Sequence, residues 1–207
     1  MTDAPNTFTT PASEETLQRV AAKLRERNIE AVIVDDGDAA REVVRERLPA
    51  GAEVHTGKSK TLQEAGIFDL LQMPDQYDFL RPRYMKMDRQ TQAREIRKLI
   101  AGPDYMLGSV NAITEEGILV AASATSFQLG PLANTAGKVI LVVGSQKVVP
   151  DLETALQRIR DYLLPWEDEQ VRQRIPTGSF VGKILIIERE WAAGRTTVIL
   201  VRKPIGM

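Results

Sequence analysis

The chain has 207 residues, 43% of them hydrophobic, enough for one well-filled core or for one domain with a small appendage. It carries a formal net charge of −1, no cysteine and a single histidine, His55. Those facts exclude disulfides, thiol catalysis and cysteine-ligated iron–sulfur clusters, leave no ordinary zinc ligand set, and supply no bulk charge for nucleic acid or an acidic membrane.

Met1 to Ala12 is rich in Thr, Pro and Asn and reads as a flexible tail, polar and without the apolar centre of a signal peptide. Residues 13–207 are then expected to form one domain. Ser13 starts a helix whose apolar face is Leu17, Val20, Ala21 and Leu24. Ala31 to Val34 is a short apolar strand. A second helix follows from about Asp38 to Leu48, with Ala40, Val43, Val44 and Leu48 inward. Glu53 to Thr56 is the next strand, and a helix begins near Ser59 and breaks at Gly66. Strand, helix, strand, helix predicts a parallel sheet covered by helices.

The stretch Glu53 to Leu62 reads as strand, tight turn and helix start, with Gly57 supplying backbone freedom and Ser59 or Thr61 a cap. The first N–H groups of a helix lack internal partners and its dipole is positive there, so an anion fits. Lys58 and Lys60 add charge at the same mouth. The spacing is neither a Walker A loop nor Gly-x-Gly-x-x-Gly, and the same residues also fit an ordinary turn with two surface lysines. In open parallel sheets ligands bind beyond the carboxyl ends of the strands, where this turn lies.

Further along, Asp88 is expected to cap a helix running to Ile100. From Arg81 to Lys98 seven basic residues face only Asp88 and Glu95, which fits either a solvated face or one side of an anion pocket. No nucleic-acid motif accompanies them, so no nucleic acid is expected. Asp104 to Ile113 reads as a strand, Thr114 to Gly117 as a turn, and Ile118 to Ala122 as a returning strand. The run Ser123 to Pro131 is small and hydroxylated, open to a ligand or to a capped connection. Val139 to Val143 is a buried parallel strand. Asp151 to Leu164 is an amphipathic helix with Leu152, Ala155, Leu156, Ile159 and Leu163 inward, broken by Pro165. Ile184 to Ile187 and Thr197 to Val201 read as a C-terminal β-hairpin around Gly194. No apolar run is long enough for a membrane span, and a cytoplasmic location is expected.

Gly108 to Gly117, then Ser123-Ala124-Thr125, then Val142 to Val149, resemble the lactate-utilisation (LUD) domain family. Lys58 to Leu62 and the strand after Gly194-Arg195 are similar to it too, so the likeness spans Ser13 to the C-terminus. The resemblance implies an α/β layered fold like that of ribose-phosphate isomerases and CoA-transferases. It also implies a part in an enzyme system oxidising lactate, with the iron–sulfur cysteines on a sister subunit. No cofactor is expected in this chain. Where relatives read Gly-Ser-Gln after the equivalent of Thr125, this chain has Ser126-Phe127-Gln128. Asn111 cannot ionise, which argues against acid–base isomerase chemistry there.

These readings combine into one expectation. Gly57, Lys58, Ser59 and Thr61 would hold an anion, and Asn111, Thr114, Ser123 and Gln128 would hydrogen-bond its neutral part. The ligand would be phosphate-, nucleotide-, CoA- or carboxylate-like. A CoA-transferase or sugar-phosphate isomerase activity stays open, with Glu116 as its acid. So does a purely docking role toward flavin or iron–sulfur oxidoreductase subunits. His55 is expected neither to bind metal nor to act as a base, and no metal site is expected.

Overall fold

The computed structural model describes residues 7–207. The first helix, α1 (Glu14–Glu26), starts where Ser13 Oγ accepts the Thr16 N–H at 3.2 Å, with Glu14 and Glu15 in the positive first turn. Strand β1 (Glu30–Val34) leads to α2 (Gly37–Arg47), capped by Asp36, and then β2 (Glu53–Thr56). Next come two short helices, α3 (Lys60–Glu64) and α4 (Ile67–Leu71). Gly66 separates them at φ +67°, a left-handed conformation that suits glycine. A short β3 (Asp78–Phe79), α5 (Leu80–Met85) and α6 (Ala93–Leu99) precede β4 (Tyr105–Gly108). Then follow β5 (Ala112–Thr114), β6 (Leu119–Ser123), a π-helical turn at Pro131–Thr135 and β7 (Lys138–Gly144). Strand β8 (Val148–Val149) and α7 (Leu152–Gln157) come next, and α7 continues through a π-helical stretch, Arg158–Leu163, into α8 (Leu164–Arg172). Strands β9 (Lys183–Ile187) and β10 (Thr196–Val201) end the chain.

The fold is α/β. Six strands, in the order β1-β10-β7-β4-β2-β3, form an all-parallel sheet. Side chains alternate between its faces with the period of two that a strand imposes. Val139, Leu141, Val143, Val198 and Leu200 pack with α1, whereas Ile140, Val142, Ile199 and Val201 pack with α2, α3 and α4. The continuous apolar runs of β7 and β10 are what a strand covered on both faces requires.

A second, four-stranded sheet, β8-β5-β6-β9, was not expected. Ile113, Leu119 and Ala121 turn toward the α1 side of the main sheet, while Ala112 and Val120 pack against α7 and the π-helical stretch. Neighbours β4 and β7 leave the first sheet side by side and pair again, still parallel, as β5 and β8 in the second. The connections that cross are Ser109-Val110-Asn111 and Ser145-Gln146-Lys147.

Several expectations need correction. The segment read as one strand, Asp104 to Ile113, is two strands in two sheets, because the chain changes sheet at Ser109. The C-terminal strands lie where expected but do not form a hairpin. Strand β9 pairs with β6, and β10 inserts between β1 and β7. Asp88 caps a turn, accepting from Gln90 N at 2.7 Å, and the helix itself starts at Ala93. Pro165 does not break its helix; the widened turn before it accommodates the ring, and the helix runs on to Arg172. Of the expected tail, residues 7–12 are described, with Phe8 packed on Tyr162 at 5.9 Å and Ala12 N donating to Ser145 O, and residues 1–6 lie outside the described residues, so its flexibility remains an expectation. Val43 and Leu156, expected to be buried, are only partly so, unlike Leu17, Val20, Leu24 and Ile159. No helix among the described residues is long and apolar enough to cross a membrane.

Leu24 is 0% exposed, so Leu24→Ala should cost about 2–5 kcal/mol in urea unfolding. Leu156→Ala, at a half-buried position, should cost clearly less. Equal costs would contradict the observed orientation of α7.

Candidate functional site

The carboxyl ends of β2, β4 and β7 open onto one cavity of about 580 Å³. Its floor is made by residues following those strands: Gly57 to Thr61, Gly108 to Asn111, and Lys147. One wall is α8 with the segment 174–181. The other carries Arg81, Tyr84, Arg89 and Phe127. Six basic side chains line the cavity (Lys58, Lys60, Arg81, Arg89, Lys147 and Arg174) against one acidic side chain, Glu167, among the described residues.

Lys147 is the centre of this arrangement. Strand β7 is buried on both faces and ends in a buried turn, Ser145–Lys147. Ser145 Oγ donates to Arg202 O, and Gln146 Nε2 donates to Ile205 O at 3.0 Å. With its two neighbours tied to the C-terminal segment, Lys147 extends its side chain inward. Its Nζ donates to Thr61 Oγ1 at 2.8 Å, Ser109 Oγ at 2.9 Å and Val110 O at 3.4 Å. The residue is 3% exposed, and no carboxylate pairs with it among the described residues. Burial, assisted by the nearby Arg158 charge and opposed by Glu64, pushes its pKa down to about 7. Both hydroxyls accept from the ammonium; Ser109 Oγ donates in turn to Val110 O at 3.4 Å, and Thr61 keeps its O–H to donate elsewhere.

Arg158 is a second buried cation, with no carboxylate partner among the described residues. It is 0% exposed and donates to Asn111 O at 2.6 Å and Phe8 O at 3.4 Å, while its Nε lacks a partner. Burial lowers its pKa to about 10, which leaves it charged at neutral pH. Two uncompensated cations thus lie beneath a cavity already rich in basic groups.

Of the residues expected to form the site, Gly57, Lys58, Ser59, Thr61, Asn111, Ser123 and Gln128 line this one cavity. Several are already engaged. Ser59 Oγ caps α3 by accepting from Leu62 N, and Ser123 Oγ accepts from Ser126 N. Lys58 Nζ lies 3.3 Å from Glu167. Asn111 Oδ1 accepts from Ala122 N at 2.6 Å and so pins the crossing to β6. Gly57 serves close approach rather than an unusual φ: a Cβ there would meet Gln128 Oε1 at 2.8 Å. Helix α3 has only five residues, so its dipole is short and the charge comes chiefly from lysine and arginine.

Thr114 is not part of the cavity. It is buried, and its Oγ1 accepts from Ile118 N at 3.0 Å to close the β5–β6 turn. Glu116 lies on that same turn, exposed, with Arg27 Nε donating to its carbonyl and its carboxylate 3.8 Å from Lys23. Of the basic run, Arg81 and Arg89 reach the cavity, and Arg83 is paired with Asp78 outside it. His55 is wholly buried, with Nε2 3.3 Å from Phe127 O and Nδ1 unpartnered; burial lowers its pKa to about 4 and keeps it neutral. No cluster of three or more metal-ligating side chains occurs among the described residues. A shallower depression at the opposite strand ends, near Pro49 and Gly137, has its charged groups already engaged, Asp104 by Glu53 N and Lys138 by Gly194 O.

Sequence reasoning missed Lys147 and Arg158 as site groups. Each had a signal: Lys147 stands between Val142-Val143 and Val148-Val149, and Arg158 lies on the apolar face of its helix, three residues after Ala155.

The LUD domain model matches residues 17–201 of the chain. The fold is similar to the crystal structure of a DUF162 family protein from Deinococcus radiodurans, with a TM-score of 0.56 and 11% sequence identity. That match covers 92% of this chain and 99% of the other. A search of curated proteins finds no match.

Two titrations test the site. The native pKa of Lys147, about 7, lies below its ordinary 10.5, so between those values the unfolded chain binds more protons and native stability rises with pH. The free energy of urea unfolding should therefore climb between pH 7 and 10 more steeply in the parent than in Lys147→Met; parallel profiles would refute the buried charge. With one histidine in the chain, the imidazole proton resonance is unambiguous, and its midpoint should fall near 4. A midpoint near 6.5 would mean that His55 is solvated.

Proposed function

The chain belongs to the LUD domain family, and on that premise we propose that it is a ligand-binding component of lactate or related organic-acid utilisation. Its cleft takes the carboxylate or phosphate group of an anion. The observation that carries this reading is Lys147: a buried ammonium with three neutral acceptors and, among the described residues, no carboxylate, on the floor of a cavity that six described basic side chains line. A buried charge left uncompensated is costly, and an incoming anion offsets that cost. Thr61 supplies a hydroxyl donor, and Asn111 Nδ2, unbonded among the described residues, supplies an amide. The cavity's one acidic side chain, Glu167, is held by Lys58, which favours binding over acid–base catalysis. The chain has no cysteine, so an iron–sulfur centre serving the oxidation belongs to a partner protein.

An anion favours the charged form of Lys147 and raises its pKa, so binding near pH 7–8 takes up a proton. Inorganic phosphate and L-lactate, titrated separately by thermal shift, test this. At least one should raise the Tm at pH 6 through linkage, with a smaller rise at pH 9, where Lys147 is neutral. Lys147→Met should abolish the rise, and Lys58→Glu should reduce it while the protein stays folded. A rise that is equal at both pH values and survives Lys147→Met would overturn the assignment.

A further inference from the structure

The anion-binding reading leaves most of the cavity unexplained. A three-carbon hydroxy acid has six non-hydrogen atoms. A cavity of about 580 Å³ is larger than so small a molecule fills. That volume falls within the range of about 300–1,000 Å³ typical of sites for much larger ligands.

The distribution of exposed apolar side chains is uneven in a way that bears on this. Six large hydrophobic residues are exposed among the described residues, and three of them, Met85, Ile175 and Phe180, line this cavity. Phe180 is 62% exposed and Ile175 53%. Between them and the floor, α8 and the turn before it present Leu163, Leu164 and Val171 to the same space. Single exposed apolar residues are ordinary, but several gathered around one concave site mark a binding surface.

The segment that carries Phe180 is built rather than loose. Ser179 N donates to Asp168 Oδ1 at 2.7 Å, and Asp168 also holds Arg172. Gly178 sits at φ +72°, and at Gly182 a Cβ would come within 2.5 Å of Ala124 O, so the segment is pressed against the loop after β6. Phe180 is thus held at the cavity's edge with its ring uncovered.

We propose that the site takes an amphiphilic anion, with a carboxylate or phosphate head above Lys147 and a hydrocarbon portion lying along α8 beneath Phe180 and Ile175. This rests on the anion reading and extends it to the ligand's class. The head needs the charge and hydroxyl donors of the floor. The hydrocarbon portion displaces water from the apolar wall, and each methylene buried there strengthens binding about fourfold.

Isothermal titration calorimetry at pH 6 with two homologous series tests the proposal: acetate, butyrate, hexanoate and octanoate, and methyl, butyl and octyl phosphate, all below their micelle concentrations. Affinity should rise with chain length, by at least tenfold from butyrate to octanoate, in whichever series carries the preferred head. The double variant Phe180→Ala/Ile175→Ala should flatten that slope, and Lys147→Met should weaken every member. Trp191→Ala, removing an exposed side chain remote from the cavity, should change neither. Lys147-dependent binding of short members with no chain-length slope would overturn this inference and leave the anion reading intact. A slope that survives Lys147→Met would overturn it too, since the head would not then sit over Lys147. Absence of binding in both series would overturn both readings.

Discussion

One ammonium group joins three parts of this protein. Lys147 Nζ bonds the start of α3 through Thr61 and the crossing after β4 through Ser109 and Val110, while its own backbone closes the turn that leads from β7 into β8. Its three protons have acceptors, but no carboxylate pairs with the charge among the described residues. A hydrocarbon side chain of similar size would spare the desolvation of a buried charge. That the fold nonetheless holds a lysine there is understandable if the charge is used when the cleft fills. Strain and uncompensated polarity gather where a protein works.

The two-sheet design creates the place for that group. Strands β4 and β7 are neighbours in the first sheet, and their continuations β5 and β8 are neighbours in the second. Between the sheets the two connections lie outside the regular ladders, apart from Asn111 N, which donates to Val120 O at 2.9 Å. Side chains take over: Asn111 bonds the β6 backbone, Arg158 bonds the Asn111 carbonyl, and Gln146 bonds the C-terminal segment. The floor of the cleft is therefore a seam, where backbone pairing is replaced by a side-chain network. At the other end of the main sheet Arg195 acts similarly. It donates to the carbonyls of Pro131, Leu132 and Ala136 and pairs with Glu190 at 2.7 Å, fixing the π-helical turn before β7.

Much of this could be read from the chain. The apolar runs at Ala31, Val139 and Thr197 fall in parallel strands because a strand covered on both faces needs no polar alternation. The turn at Gly57 faces a cleft because open parallel sheets leave their strand ends there. The second sheet escaped notice because its strands are short, and because Gly108-Ser109, where Asp104 to Ile113 changes sheet, is one isolated glycine inside an otherwise strand-like run. Thr114 looked like a site residue because a hydroxyl beside a turn serves a ligand or a turn equally well, and only the fold chooses. Lys147 had no local mark of burial, since its burial depends on the C-terminal segment tying down its two neighbours. Pro165 looked like a helix end because single-turn π geometry has no sequence signature of its own.

That π-helical stretch, Arg158–Leu163, has a consequence for how the cleft wall can vary. A residue inserted into an α-helix advances everything after it by about 100°, and a widened turn absorbs the excess locally. The helix before the stretch addresses the second sheet with Ala155; the helix after it addresses the cleft with Trp166, Glu167 and Val171. The stretch works as a phase shifter between two faces that must be set independently. Loss of one residue there would return the helix to a single phase and turn the wall away from the cavity, leaving the sheet contacts behind it in place. Length changes at this point are therefore a route by which related chains could reshape what the cleft admits without disturbing the sheets that build it.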